Sequence, residues 1–285
     1  MPLSQKPKWL KMEMPGTGHY PELKRLLKEQ NLNTVCTSAR CPNIGECWSR
    51  RTATFMILGT RCSRNCRFCA IDHGHPDPPD AGEPLRVAQA VQMLELRYAV
   101  VTSVTRDDLS DGGAGHFNAT IHAIRRLNPQ CRVEVLIPDM QGDAQSLDLL
   151  LEACPDVFNH NLETVQRLYS TVRPQADFNR SLKVLHYASA KGFITKSGMM
   201  LGLGETREEV LDAAKALRSV GCRILTLGQY LAPSLEHLPV MRYLQPVEFA
   251  QLRQQCLRLG FDYVHAGPMV RSSYHAAELS GLEKV

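Results

Sequence analysis

Thr54-Phe55-Met56-Ile57-Leu58-Gly59-Thr60-Arg61-Cys62-Ser63-Arg64-Asn65-Cys66-Arg67-Phe68-Cys69 is a short apolar run that stops at a glycine and passes directly into three cysteines. The run has the length of a buried strand and is closed by a turn signal. Downstream, apolar runs of strand length recur at Tyr98–Val104, Arg132–Ile137, Asp156–Asn159, Phe193–Leu201 and Arg223–Gln229. Amphipathic stretches of helical period separate them, at Leu85–Leu96, Gly115–Leu127, Ala144–Ala153, Leu162–Tyr169 with Ser181–Lys191, Arg207–Val220 and Pro246–Leu259. Thr206, followed by Glu208 and Glu209, is a helix-start signal at the positive end of the dipole. Such βα alternation predicts an α/β fold with a parallel sheet. A complete eightfold barrel takes about 250 residues, so six units predict a partial (β/α)6 barrel of TIM type. In this division residues 1–51 form an N-terminal extension, 52–259 the partial barrel and 260–285 a C-terminal extension. The stretch His73-Gly74-His75-Pro76-Asp77-Pro78-Pro79 reads as a loop.

The cysteines then acquire a place. Cys62, Cys66 and Cys69, spaced C-x3-C-x2-C, follow the first strand at its C-terminal end, where barrel enzymes carry their active sites. A second triplet, Cys36, Cys41 and Cys47, is spaced C-x4-C-x5-C and lies in the N-terminal extension. Each offers three thiols and no obvious fourth. Structural zinc is normally closed by four protein ligands, whereas a [4Fe–4S] cube held by three thiolates keeps one iron open. Zinc with a distant fourth ligand is the alternative for either triplet. Cys131, Cys154, Cys222 and Cys256 are scattered and read as small buried hydrophobes.

Composition narrows the class. The chain of 285 residues is 44% hydrophobic and 22% charged, values of a folded protein. Ten cysteines with six crowded between positions 36 and 69 do not resemble a disulfide framework. No apolar run approaches the roughly 20 residues needed to span a bilayer, and no apolar segment backs the N-terminal lysines as in a secretion signal. The expected location is the cytoplasm. A net charge of +4 does not indicate nucleic-acid binding. Lys6, Lys8, Lys11, Lys24, Arg25 and Lys28 read as a solvated face, with docking of an acidic partner as the alternative.

With Phe68 before its last cysteine and a strand before its first, the C-x3-C-x2-C loop resembles the signature of the radical S-adenosylmethionine superfamily. That resemblance implies reductive cleavage of S-adenosyl-L-methionine to a 5′-deoxyadenosyl radical. The first triplet, Lys8-Trp9-Leu10, Ser103-Val104-Thr105-Arg106-Asp107-Asp108 and the terminal Arg271-Ser272-Ser273-Tyr274 together resemble the lipoyl synthase family over nearly the whole chain. This implies two [4Fe–4S] clusters: one on Cys62, Cys66 and Cys69, and an auxiliary one on Cys36, Cys41 and Cys47 with Ser273 as fourth ligand. The implied reaction is insertion of two sulfurs, taken from the auxiliary cluster, at C6 and C8 of a protein-bound octanoyl-lysine. A hydroxyl binds iron more weakly than a thiolate, which suits a cluster that is dismantled. Implied partners are octanoylated lipoyl carriers (lipoyl domains of 2-oxoacid dehydrogenase complexes and the glycine cleavage H protein), a donor such as flavodoxin or ferredoxin, and an iron–sulfur carrier for repair, with neither nucleic acid nor membrane.

Further candidates lie at strand ends. Asn159-His160-Asn161-Leu162-Glu163-Thr164 is similar to a segment of biotin synthase, which implies that Asn161 and Glu163 hold ribose hydroxyls. Asn159 is included as a cofactor contact, and a helix cap is the competing role for the pair. Phe68, with Thr102 and Ser103 for the methionine ammonium and Arg173 and Lys196 for its carboxylate, completes the cofactor-binding set. The glycines of Gly198-Met199-Met200-Leu201-Gly202-Leu203-Gly204 allow close approach of a cofactor or simply make a turn. The alternatives to sulfur insertion of this kind are another radical sulfur-inserting enzyme, biotin-synthase-like, and a non-catalytic iron–sulfur or zinc protein.

Overall fold

Thr54, Phe55, Met56 and Ile57 are all buried, as expected of a strand covered on both faces of a parallel sheet. The computed structural model describes residues 7–10, 20–38, 41, 43–44, 47, 54–274 and 276. In chain order its elements are α1 (Tyr20–Glu29), β1 (Asn33–Thr34), α2 (Val35–Ser38), β2 (Thr54–Ile57), β3 (Arg61–Cys62), β4 (Asp72–His73) and α3 (Glu83–Met93). There follow β5 (Tyr98–Ser103), α4 (Ala114–Leu127), β6 (Arg132–Leu136), α5 (Ala144–Leu151), β7 (Val157–Asn159) and α6 (Tyr169–Val172). The last are α7 (Phe178–Ala190), β8 (Thr195–Leu201), α8 (Arg207–Ser219), β9 (Ile224–Gln229), α9 (Pro246–Arg258) and β10 (Tyr263–Gly267).

The described residues fall into two units, one drawn from 13–64 and 70–159 and the other from 1–12, 65–69 and 160–285. In the first, β2, β5, β6 and β7 pair in parallel, with Ile57 opposite Ser103 and Thr102 opposite Leu136. β1 adds to β2 antiparallel. The strand interiors are apolar: Phe55, Ile57, Val101, Val133, Val135 and Phe158 have no exposed surface. Helices α3 and α4 present Val87, Val91, Phe117, Ile121 and Ile124 to this core. In the second unit β8, β9 and β10 are parallel, Met199 lying opposite Leu227 and Ala266 opposite the same residue.

All six expected strands are present within a few residues. The capping signal at Thr206 is realised: its side chain accepts from Glu209 N–H while the Glu209 carboxylate accepts from Thr206 N–H. Two expectations are corrected. No α-helix spans Leu162–Tyr169; a 3-10 turn at Gln166–Leu168 leads into the short α6. The region after α9 contains β10, whose sequence Tyr263-Val264-His265-Ala266-Gly267 mixes polar and small residues and lacks a continuous apolar run. Of the stretch read as a loop, 74–79 is irregular, whereas His73 belongs to β4. Among the four scattered cysteines, Cys131, Cys222 and Cys256 are buried as expected, and burial pushes their thiols up to about 11, 12 and 11. Cys154 differs: it is exposed, at a left-handed turn after α5 (φ 52°).

Candidate active site

At the end of β2 the chain turns sharply, with Leu58 in the left-handed region (φ 68°) and Gly59 at φ 94°. A leucine there is strained, and two charged side chains hold it. Leu58 N–H donates to Glu83 Oε2 at 2.8 Å, and Arg106 Nη1 donates to Leu58 O at 3.3 Å. His116 Nε2 lies 2.7 Å from the same Glu83 oxygen. The turn delivers Cys62 onto the segment after β5. Thr105 N–H and Arg64 N–H both point at Cys62 Sγ, at 3.3 and 3.4 Å. Ser63 N–H and Oγ donate to Thr105 O, and Asp107 N–H donates back to Ser63 Oγ at 3.0 Å.

Arg64 closes this clasp. Its guanidinium donates to Asp107 at 2.6 and 2.8 Å and to Asp139 at 2.9 and 2.6 Å. Its side chain is 4% exposed and that of Asp139 is fully buried. Burial opposes the charge on Arg64, but the hydrogen bonds and charges of the two carboxylates outweigh it and hold the pKa above the ordinary arginine value. Ser103-Val104-Thr105-Arg106-Asp107-Asp108, read in sequence only as a family resemblance, is thus the platform on which the first cysteine of the loop rests.

Within the second unit, Phe68 packs against Val172, Leu203 and Tyr230. Arg67 N–H donates to Val172 O, and Leu238 N–H to Arg67 O. His237 Nε2 lies 3.0 Å from Cys69 O, and Ser234 Oγ lies 2.8 Å from His237 Nδ1. With a carbonyl on one side, Nε2 is the donor to Cys69 O, while Nδ1 faces the Ser234 hydroxyl. Nothing in the spacing of Ser234 and His237 pointed to this contact.

The strand ends sort the other candidates. Thr102 Oγ1 donates to Leu136 O at 2.7 Å, whereas the buried hydroxyl of Ser103 has no partner among the described residues. Asn159 donates to Glu134 Oε1 at 2.8 Å, Tyr98 OH donates to the other Glu134 oxygen, and Asn159 Oδ1 is buried without a partner among the described residues. Lys196, on β8, is 1% exposed.

Asn161 and Glu163 come together. Asn161 Nδ2 donates to Glu163 Oε1 at 2.9 Å and to Ser272 Oγ at 2.6 Å. Its Oδ1 is buried with no partner among the described residues. Glu163 has a left-handed backbone (φ 66°) and is held along β8 by Glu163 N–H to Gly198 O and Met200 N–H to Glu163 O. Neither side chain caps a helix. Burial pushes the Glu163 carboxyl up, against the Arg173 charge and the Asn161 hydrogen bond, which pull it down. Arg173 Nη1 donates to Asn161 O and Leu162 O at 2.9 and 3.1 Å and so braces this turn. Gly198 must be glycine: a Cβ there would stand 2.5 Å from Thr226 Oγ1, 2.9 Å from Asn161 Oδ1 and 3.3 Å from Ser272 Oγ.

Of the other triplet, Cys36 is buried on α2, with Cys41 N–H donating to Cys36 O and Cys47 N–H to Asn43 O. Ser273 lies in the turn after β10. Among the described residues no group of three or more His, Cys, Asp or Glu side chains converges on one point, so both ligand sets rest on spacing and on the thiols being free of disulfides. Lys6 and Lys11 lie outside the described residues; Arg25 is exposed and pairs with Glu29. A cleft lined by Glu205, Arg207, Arg242 and Glu248 contains none of the candidate residues.

Residues 56–217 match the Radical SAM superfamily. The chain is 54% identical to the lipoyl synthase of Rubrobacter xylanophilus over 96% of its own length and 86% of that protein. It is 53% identical to the lipoyl synthase of Caldanaerobacter subterraneus over 95% of its length and 96% of that protein. The chain belongs to the lipoyl synthase family. Among solved structures, methylornithine synthase superposes with a TM-score of 0.56 at 13% identity, over 88% of this chain and 83% of that one. SuiB of Streptococcus suis bound to S-adenosylmethionine gives 0.59 at 8% identity, over 79% and 53%. These show the shared fold, an α/β fold of the partial TIM-barrel class.

Lipoyl synthases are radical SAM sulfurtransferases acting on octanoylated lipoyl carriers, with S-adenosyl-L-methionine and two [4Fe–4S] clusters, and this chain is an enzyme of that family. The residues present fit those groups. None of the six clustered thiols is in a disulfide, Cys62 Sγ already accepts two N–H donors as cluster sulfurs do, and Asn161 offers a buried acceptor that no described residue fills.

Proposed function

We propose that this chain inserts two sulfur atoms at C6 and C8 of a protein-bound octanoyl-lysine, using Cys62, Cys66 and Cys69 for one cluster and Cys36, Cys41, Cys47 and Ser273 for the other. The observation that carries this reading is the pair of cysteine triplets, none of them in a disulfide, in a chain over half identical to lipoyl synthases along almost its whole length. When bound, the clusters and S-adenosyl-L-methionine supply the hydrogen-abstracting radical and the sulfur.

The chain's own residues bind and orient. Thr105, Ser63 and Arg64 fix Cys62. Asn161 and Glu163 accept from the ribose hydroxyls. Ser103, with Thr102 behind it, receives the methionine ammonium, and Lys196 and Arg173 provide positive charge toward its carboxylate. Phe68 anchors the loop in apolar surroundings, and Asn159 serves as a further cofactor contact. Residues 1–51 serve as the extension carrying the auxiliary triplet, 52–259 as the radical-forming part and 260–285 as the segment supplying Ser273. The carriers are lipoyl domains of 2-oxoacid dehydrogenase complexes and the glycine cleavage H protein. A flavodoxin or ferredoxin supplies electrons, and an iron–sulfur carrier restores the spent cluster. The chain's place of action is the cytoplasm. No helix among the described residues is long and apolar enough to cross a membrane.

The test is the reaction. Anaerobically reconstituted, reduced protein should hold about eight irons, as two four-iron clusters require. With S-adenosyl-L-methionine and an octanoyl-lysine peptide it should yield a product bearing two sulfurs, with two 5′-deoxyadenosines per product. A product without sulfur, or a protein loaded with zinc, would overturn the reading.

A further inference from the structure

We propose that Ser272 is a positioning residue of the ribose site: its hydroxyl sets the orientation of the Asn161 amide, so that Asn161 and Glu163 present two acceptors to a vicinal diol. The inference deepens the reading of Asn161 and Glu163 given above and rests on it. An amide has one end that only donates and one that only accepts. Asn161 Nδ2 has two hydrogens, and both are committed, one to Glu163 Oε1 and one to Ser272 Oγ. Oδ1 is therefore the end left over, buried and without a partner among the described residues. A diol brings two O–H donors, and the site answers with one amide oxygen and one carboxylate. Without the Ser272 hydroxyl, one amide hydrogen loses its acceptor. The amide is then held by Glu163 Oε1 alone and can tilt away from the geometry that aims Oδ1 at the incoming donors.

The surrounding chain is built for this contact. Gly198 leaves space where Asn161 Oδ1 and Ser272 Oγ approach β8. At Gly228 a Cβ would collide with the Val270 carbonyl oxygen, so a second glycine admits the turn that carries Ser272. Val270 N–H to Gly267 O and Gln229 N–H to Pro268 O pin that turn to β9 and β10. Consecutive serines of Arg271-Ser272-Ser273-Tyr274 then serve different purposes, Ser272 in the nucleoside site and Ser273 as the auxiliary ligand.

The experiment compares binding of 5′-deoxyadenosine and 2′,5′-dideoxyadenosine to the reconstituted full chain with methionine present, by equilibrium dialysis. The native chain should prefer the ribo compound by about tenfold, the worth of one charge-assisted hydrogen bond. Ser272→Ala should lose most of that preference with an unchanged melting temperature, and Ser272→Thr should restore it. Ser272→Cys keeps the volume with a poor acceptor and should behave like Ser272→Ala, which protects the test if the alanine variant folds badly. Full preference in the alanine or cysteine variant, or no rescue by threonine, would overturn the role of Ser272 while leaving Asn161 and Glu163 standing. Absence of any preference in the native chain would overturn both readings.

Discussion

Glu163 concentrates several physical demands in one residue. Its backbone is left-handed, its N–H and C=O follow β8, and its carboxyl is pushed above the ordinary value of 4.5 by burial, with Arg173 and Asn161 opposing. Because the folded chain holds this proton more tightly than the unfolded one, the group favours the fold below that ordinary value, and the contribution fades as pH rises through the raised pKa. Ligand binding runs the other way, since the ionised carboxylate is the better acceptor for a ribose hydroxyl. We expect affinity for 5′-deoxyadenosine to fall as pH drops through a window above 4.5, and Glu163→Gln to flatten that profile; a titration by dialysis reads both. Gly198 gives a second expectation at this scale. Gly198→Ala forces a methyl against Thr226 and Asn161, and overpacking of this kind costs about 1–3 kcal/mol. The variant should unfold at lower denaturant and bind the nucleoside weakly.

Among the elements, the loop from β2 through Arg64 is held by side chains from the segments after β5 and β6 and from the start of α3. Arg64→Ala would leave Asp107 and buried Asp139 without their counter-ion. Removing one partner of a buried pair costs about 3–5 kcal/mol, so denaturant unfolding of the variant should show a loss in that range. Iron uptake at the site of Cys62 should fall with it. Helix α8 offers a milder check. Glu209 is held down to about 2, first by its hydrogen bond from Arg167 and then by Thr206 N–H. A lowered carboxyl contributes stability above its ordinary pKa and loses it as pH falls toward the lowered one. Glu209→Gln should therefore destabilise by about 0.5–1 kcal/mol at neutral pH, and melts at pH 7 and pH 3 should show the gap narrowing in acid.

For the whole molecule the expectation concerns division of labour between the triplets. Cys41→Ala should retain formation of 5′-deoxyadenosine and hold about four irons while sulfur transfer stops. Cys66→Ala should lose both activities. Normal sulfur transfer by Cys41→Ala would remove the first triplet from the role of donor.

What could be read from the chain alone was whatever is local. Six strand-length apolar runs alternating with helical periods were enough for the α/β class, and six thiols in two short stretches were enough to announce metal, because such spacings act over a few residues. Strand β10 escaped, since its residues are polar and small and it forms only by pairing with β9. The partners of Arg64, the brace from Arg173 and the bond between Asn161 and Ser272, 111 positions apart, also lay beyond sequence reading. Those contacts depend on which strand ends and turns the fold brings together, and a carboxylate or hydroxyl carries no local mark of the donor it will meet.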